Sequence, residues 1–299
     1  MTPTILYLIG TPYCGSTILG AVFGQHSQIG NIGELGYWTS KTKDPSLRRC
    51  ACGNNLRDCE FWSRVREVWF FKANISNEAG YRALQSKFEK TSVITFMNRK
   101  SLLRRADFQE YARLTRLLMD SVAEVSGRSI IFDTTKSPGR AVALSAAGLN
   151  IMPIHLIRSG PRFIASSINR RVKRKQTEDP NDSAFILQTT LRWIFTNLAA
   201  EIISAAIHPQ PLRLIYEELV AHPRESISRA GEAIGVDLNH VAEAIASGAS
   251  FGFDHSVDGS LVRLEGPTSL KPSPEKPLSP RIERVFQPLA GWLAKRYGY

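Results

Sequence analysis

The chain has 299 residues, 43% of them hydrophobic and 22% charged, the composition of a globular protein able to bury a large core. Its formal net charge of +11 favours an anionic partner, whether phosphate, sulfate, nucleic acid or acidic lipid, because a positive field concentrates anions near the surface. No window approaches the roughly 20 apolar residues of a membrane span, and four cysteines are too few to staple such a chain, so a cytoplasmic protein without a membrane span is expected.

An apolar run from Thr4 to Ile9 reads as a strand, followed by Gly10-Thr11-Pro12-Tyr13-Cys14-Gly15-Ser16-Thr17 and then the helical pattern of Ile18, Leu19, Val22 and Phe23. Strand, tight loop and helix form the context of a phosphate-binding loop. Glycines let the backbone curl around an anion, the helix start presents unpaired amides, and Ser16 and Thr17 add hydroxyls. A nucleotide phosphate loop carries Lys before its Ser or Thr, whereas this chain has Ser16 there, which disfavours a kinase or ATPase.

Between this unit and the next strand lie about a hundred residues, far more than a crossover needs. Helices are expected over Phe61 to Phe71 and Ser101 to Val125, and an insertion at about 40–127 is expected to wall the acceptor site. Cys50, Cys52 and Cys59 fall in it; zinc needs a fourth ligand that spacing does not reveal, so loop bracing or a disulfide is preferred and no metal is expected.

Further strands are expected over Ser129 to Phe132, Met152 to Ile157 and Leu212 to Tyr216, completing an α/β fold with an open parallel sheet of about four or five strands flanked by helices. The second of these runs into Arg158, and eight residues on, two turns into a helix, stands Ser166; the pair can converge on one anion. The basic run Arg170, Arg171, Lys173, Arg174 and Lys175 lacks the interleaved aromatics of a base-stacking platform, so it reads as a solvated helix face and no nucleic acid is expected. His155, inside a strand, reads as a core histidine. The segment from Phe251 to Pro280 holds five of the sixteen prolines and cannot be a regular element. A last amphipathic helix runs from about Pro280 to Arg296, with Ile282, Val285, Phe286, Leu289, Trp292 and Leu293 on one stripe.

In order and spacing, the loop at 10–17, Asp133-Thr-Thr-Lys136-Ser-Pro138, Arg158 with Ser166, Tyr216-Glu217-Glu218-Leu219 followed by Pro223, and His255 to Arg263 together resemble the P-loop sulfotransferases, most closely bacterial ones and the tyrosylprotein and heparan types. The resemblance implies one domain over residues 1–299 and 3'-phosphoadenosine 5'-phosphosulfate as co-substrate, with no metal required. It implies a 5'-phosphosulfate held by Thr11, Pro12, Tyr13, Cys14, Gly15, Ser16 and Thr17, a 3'-phosphate held by Arg158 and Ser166, and a segment at 251–280, carrying Arg263, folded over the nucleotide. Tyr13 and Cys14 stand where the family usually has a basic residue and Ser.

Sulfuryl transfer by in-line displacement needs charge stabilisation and a base. Lys136, past a strand's carboxyl end, is the candidate cation, Glu34 the first candidate base and His26 a second, with helix capping the plainer use of His26. The acceptor is expected to be a hydroxyl or amine of a small molecule, glycan or lipid. A P-loop kinase, with Asp133 holding metal, and a non-catalytic nucleotide-binding relative are the rival readings.

Overall fold

The computed structural model describes residues 2–38, 48–89, 102–173, 179, 182–271 and 277–299. Five strands, β1 (Thr4–Gly10), β2 (Ile29–Gly33), β3 (Ile130–Lys136), β4 (Asn150–Ile157) and β5 (Leu212–Ile215), form one parallel sheet in the order β2-β3-β1-β4-β5. Strand β1 sits centrally, Thr4 opposite Ile130 on one side and Asn150 on the other, and its unbroken apolar run is what a strand covered on both faces requires. Alternation along it feeds two cores. Ile5, Tyr7 and Ile9 pack towards the buried Trp62 and Trp69, while Leu6 and Leu8 pack with Val22, Phe23 and Leu156.

The helices fill the crossovers: α1 (Ser16–Phe23), α2 (Glu60–Ala73), α3 (Ala79–Phe88), α4 (Ala106–Ser126), α5 (Pro138–Ala146), α6 (Gly160–Lys173), α7 (Ser183–Ile207), α8 (Tyr216–Ala221), α9 (Pro223–Ile234), α10 (Asn239–Ala246) and α11 (Pro280–Arg296). Among the described residues, no helix is long and apolar enough to cross a membrane.

Two expectations change. Between α1 and Glu34, within the hundred residues where no strand is expected, runs the edge strand β2, so the helical excursion begins after β2. Its sequence, Ile-Gly-Asn-Ile-Gly, lacks strand propensity; Asn31 holds it against α1, where a Cβ on Gly20 would meet the Asn31 Oδ1 at 2.7 Å. Helix α11 forms over the predicted span, with Ser279 capping it through the Arg281 N–H, but its buried stripe is Ile282, Phe286, Ala290 and Leu293, whereas Leu289 and Trp292 are 37% and 54% exposed. The described residues of the Pro-rich segment before Pro280 are irregular apart from a 3-10 turn at Leu261–Leu264. Phe251 bridges to Thr268, and Val257 bridges to both Gly33 and Cys50. Of its prolines, Pro272 and Pro274 lie outside the described residues, as do Ser101, Arg174 and Lys175.

A buried charge cluster joins the sheet to the excursion. The Arg140 guanidinium, fully enclosed, pairs with Asp133 at 3.0 Å and with Glu89, which also accepts a 2.7 Å bond from the Tyr111 hydroxyl. Arg140→Ala would strand two buried carboxyl groups, and urea unfolding should register a loss of about 3–5 kcal/mol.

Candidate active site at the carboxyl edge of the sheet

A cavity of about 850 Å³ opens at the carboxyl ends of β1, β2, β3 and β4, where open parallel sheets place their ligands. Its floor is the β1–α1 loop. Gly15 caps α1 in the left-handed region at φ 94° with no side-chain cap hydrogen bond, so the amino end of the helix is open towards an anion. The ring of Tyr216 packs so closely on Gly15 that an added Cβ would lie 2.1 Å from it. Tyr13 and Lys136 adopt positive φ of 62° and 72°, a backbone state uncommon for side-chain-bearing residues and concentrated at ligand sites.

Lys136 ends β3 and reaches across the floor. Its ammonium donates to the Ser16 Oγ and to the Thr134 carbonyl, each at 3.1 Å, and forms an ion pair with Glu34. Burial works most strongly against the ammonium, but the groups facing it, Glu34 foremost with Cys14 and Tyr37, together raise its pKa above the ordinary lysine value. Ser16 and Thr17 each accept a bond from the protein, from Lys136 and from the Ser260 N–H at 3.1 Å, leaving their own hydroxyl protons for a ligand.

From the β4 side, Arg158 lies over the Tyr216 ring at 5.2 Å and its Nη1 donates to the Tyr13 carbonyl at 2.5 Å. The two strand ends expected to share one anionic ligand therefore meet directly. The Arg158 Nε is buried without a hydrogen-bond partner among the described residues. Ser166, Arg170 and Lys173 line the same wall from α6.

The fold has solved counterparts. The sulfotransferase STF9 from Mycobacterium avium superposes with a TM-score of 0.53 at 12% identity, over 100% of this chain and 78% of that one. This is a sulfotransferase-type fold. The sulfotransferase domain of the Synechococcus PCC 7002 olefin synthase is similar with a TM-score of 0.47 at 18% identity, over 100% of this chain and 96% of that one. The sulfotransferase domain from the curacin biosynthetic pathway gives 0.48 at 17% identity, over 98% of each chain. No protein-family model and no curated protein matches the sequence.

Within this sulfotransferase-type fold, Pro12, Tyr13, Gly15, Ser16, Thr17, Glu34, Lys136, Arg158 and Ser166 all line the cavity. Four expected site residues do not. Thr11 and Cys14 are buried behind the loop, Cys14 fully enclosed, with burial pushing its thiol pKa up. Arg263, within the 251–280 segment, is buried, donating to the Ser260 and Arg49 carbonyls at 3.1 and 3.0 Å. His26 sits before β2 at the opposite, amino-terminal edge of the sheet, its ring against His240 and its Nδ1 accepting the Gln28 N–H at 3.2 Å. His155 is a core residue: its Nε2 lies 2.9 Å from the Asn197 Oδ1, and burial lowers its pKa to about 4. Asp133, which a kinase would turn towards metal, is fully buried, held by Arg140 and by the Thr135 N–H at 3.0 Å.

Sequence reasoning missed other lining residues, Tyr37, Tyr216 and Asp258 among them. It also assigned Arg170 and Lys173 to a solvated face. Their spacing of four and seven residues from Ser166 was the available signal, since it puts all three on one helix face.

Asp258 gives the site a pH dependence. Burial, with the Glu34 charge adding to it, pushes its pKa up to about 7 against the opposing pull of Arg263, Lys136 and Arg48. A carboxyl group whose folded pKa exceeds its unfolded value holds its proton in the folded chain while releasing it from the unfolded one. Its stabilising contribution is therefore complete below about pH 4 and disappears as the pH rises through about 7. Urea melts at about pH 5 and about pH 8 should show a larger loss of stability for the parent chain than for Asp258→Asn.

Proposed function

We propose that the chain is a sulfotransferase that uses 3'-phosphoadenosine 5'-phosphosulfate and a hydroxyl or amine acceptor. The observation that carries this reading is the contact between the Arg158 guanidinium and the Tyr13 carbonyl, which brings an arginine grip and an amide-lined loop into one cavity. The donor set fits such a ligand. An uncapped helix start suits one anion, and a buried Arg158 Nε without a hydrogen-bond partner among the described residues, in the same cavity as Ser166, suits a second.

When bound, the nucleotide supplies the sulfuryl group and departs as adenosine 3',5'-bisphosphate. The residues of the chain supply position and charge. The α1 amides and the Ser16 and Thr17 hydroxyls would hold the 5'-phosphate, and Arg158 with Ser166 the 3'-phosphate. Lys136, kept protonated by Glu34, offsets negative charge at the floor of the cavity. Glu34 Oε accepts the proton of the attacking acceptor, and Lys136 orients that carboxylate. The Tyr37 side chain, also in the wall, borders the space left to the acceptor.

Calorimetry with adenosine 3',5'-bisphosphate and, separately, with ATP and magnesium tests the reading. The bisphosphate should bind preferentially, and a preference for ATP with magnesium would overturn the assignment. Arg158→Ala should weaken bisphosphate binding by about 1.5–3 kcal/mol, roughly ten- to a hundredfold. Glu34→Gln should leave that binding within about twofold and lower the turnover of labelled sulfate by about 10²–10⁴. Parent turnover in this variant would remove Glu34 as the base.

A further inference from the structure

Outside the cavity, the excursion and the covering segment meet at three thiols and an imidazole. The ligand atoms of Cys50, Cys52, Cys59 and His255 all lie within 4.8 Å of one another. The Cys52 and Cys59 sulfurs are 3.7 Å apart, and the His255 Nδ1 is 3.6 Å from the Cys50 Sγ and 3.4 Å from the Cys59 Sγ. These three separations match edges of a coordination tetrahedron. Zn–S bonds of about 2.3 Å and a Zn–N bond of about 2.0–2.1 Å place sulfurs about 3.8 Å apart and sulfur to nitrogen about 3.5 Å apart. A disulfide would need about 2.0 Å between sulfurs, and all four cysteines are free thiols in the structure, so of loop bracing and a disulfide, the two uses weighed from the sequence, the structure holds no disulfide.

We propose that Cys50, Cys52, Cys59 and His255 form a structural zinc site that fastens the covering segment to the excursion. The backbone around it is arranged as such sites require. Cys50 opens a tight turn, its N–H donating to the Asn54 carbonyl at 2.9 Å and its carbonyl accepting from the Gly53 N–H at 3.0 Å, with Gly53 at φ 92°. Cys59 is the N-cap residue of α2, which places its side chain at the amino end of that helix beside the turn. His255 is held from outside: the Trp62 indole donates to its carbonyl at 2.7 Å, and the Phe61 ring stacks on the imidazole at 4.8 Å. Nδ1 faces the thiols, so zinc held through it would leave the imidazole proton on Nε2. Four protein ligands close the tetrahedron and leave no position for a reacting water, which makes the site structural.

Three residues after His255 comes Asp258, and Asp258, Gly259, Ser260, Leu261 and Val262 line the cavity. The site therefore anchors one wall of the cavity to a turn some two hundred residues earlier. It rests on the side chains named here and stands independently of which ligand the cavity takes.

The full chain should be produced in zinc-supplemented medium and purified without chelator. Elemental mass spectrometry should find about one zinc per chain, and X-ray absorption should give a shell of three sulfurs and one nitrogen. Cys52→Ser, at an exposed position, and His255→Ala should each lower the affinity for added cobalt(II) at least about tenfold, with a weakened thiolate-to-cobalt absorption band. Should either variant fail to fold, the zinc stoichiometry and absorption shell of the parent chain decide the matter alone. Zinc-free parent chain after supplementation, a shell of different composition, cobalt affinity unchanged in both variants, or a disulfide among these cysteines in non-reducing peptide maps would each overturn the proposal.

Discussion

A single ammonium group governs the candidate site. Lys136 is nearly enclosed, and it touches the end of its own strand, the hydroxyl that opens α1 and the carboxylate that follows β2. Such a charge survives burial only when paired and hydrogen-bonded, so β2, β3 and the loop are bound to one geometry. The left-handed backbone at Lys136 follows from this: a residue that must turn back over the sheet edge departs from strand conformation there. With Arg158, Arg170 and Lys173 on the opposite wall, the cavity carries four cationic side chains against the carboxyl groups of Glu34 and Asp258. That imbalance is the local form of the chain's net charge of +11.

Close backbone approach does the rest of the positioning. The Tyr216 ring packs against Gly15, and the covering segment docks on the end of β2 so tightly that a Cβ on Gly33 would fall 2.3 Å from the Val257 carbonyl oxygen. Gly259 likewise lies against the Thr17 hydroxyl, where an added Cβ would come within 2.7 Å. The cavity is thus bounded by main chain as much as by side chains, and its shape depends on glycines that leave no room for substitution.

Local chemistry made part of this readable in the residues alone. The apolar runs of β1, β3, β4 and β5, the glycine-bounded loop and the Arg158–Ser166 spacing each state a periodicity or a turn requirement within a dozen residues. Strand β2 escaped because its stability comes from packing against α1 and not from its own composition. Arg170 and Lys173 read as solvated because a charged helix face looks the same whether it meets water or a cavity. Leu289 and Trp292 belong to an apolar stripe wider than the surface that covers it. The partner of the three clustered cysteines escaped for another reason, since His255 stands 196 residues from Cys59 and sequence spacing carries no signal over that distance.

The walls of the cavity are drawn from residues 12 to 262 of the chain. A polypeptide emerging from the ribosome can complete β1, the loop and α1 early, yet it cannot enclose a ligand until the segment around Asp258 has been made and has returned to β2. Contacts of such long sequence separation form slowly, because the closure entropy of the intervening chain must be overcome first. Ligand-binding competence is consequently among the last properties the newborn protein acquires, and a ligand in the cell selects only chains that have finished folding.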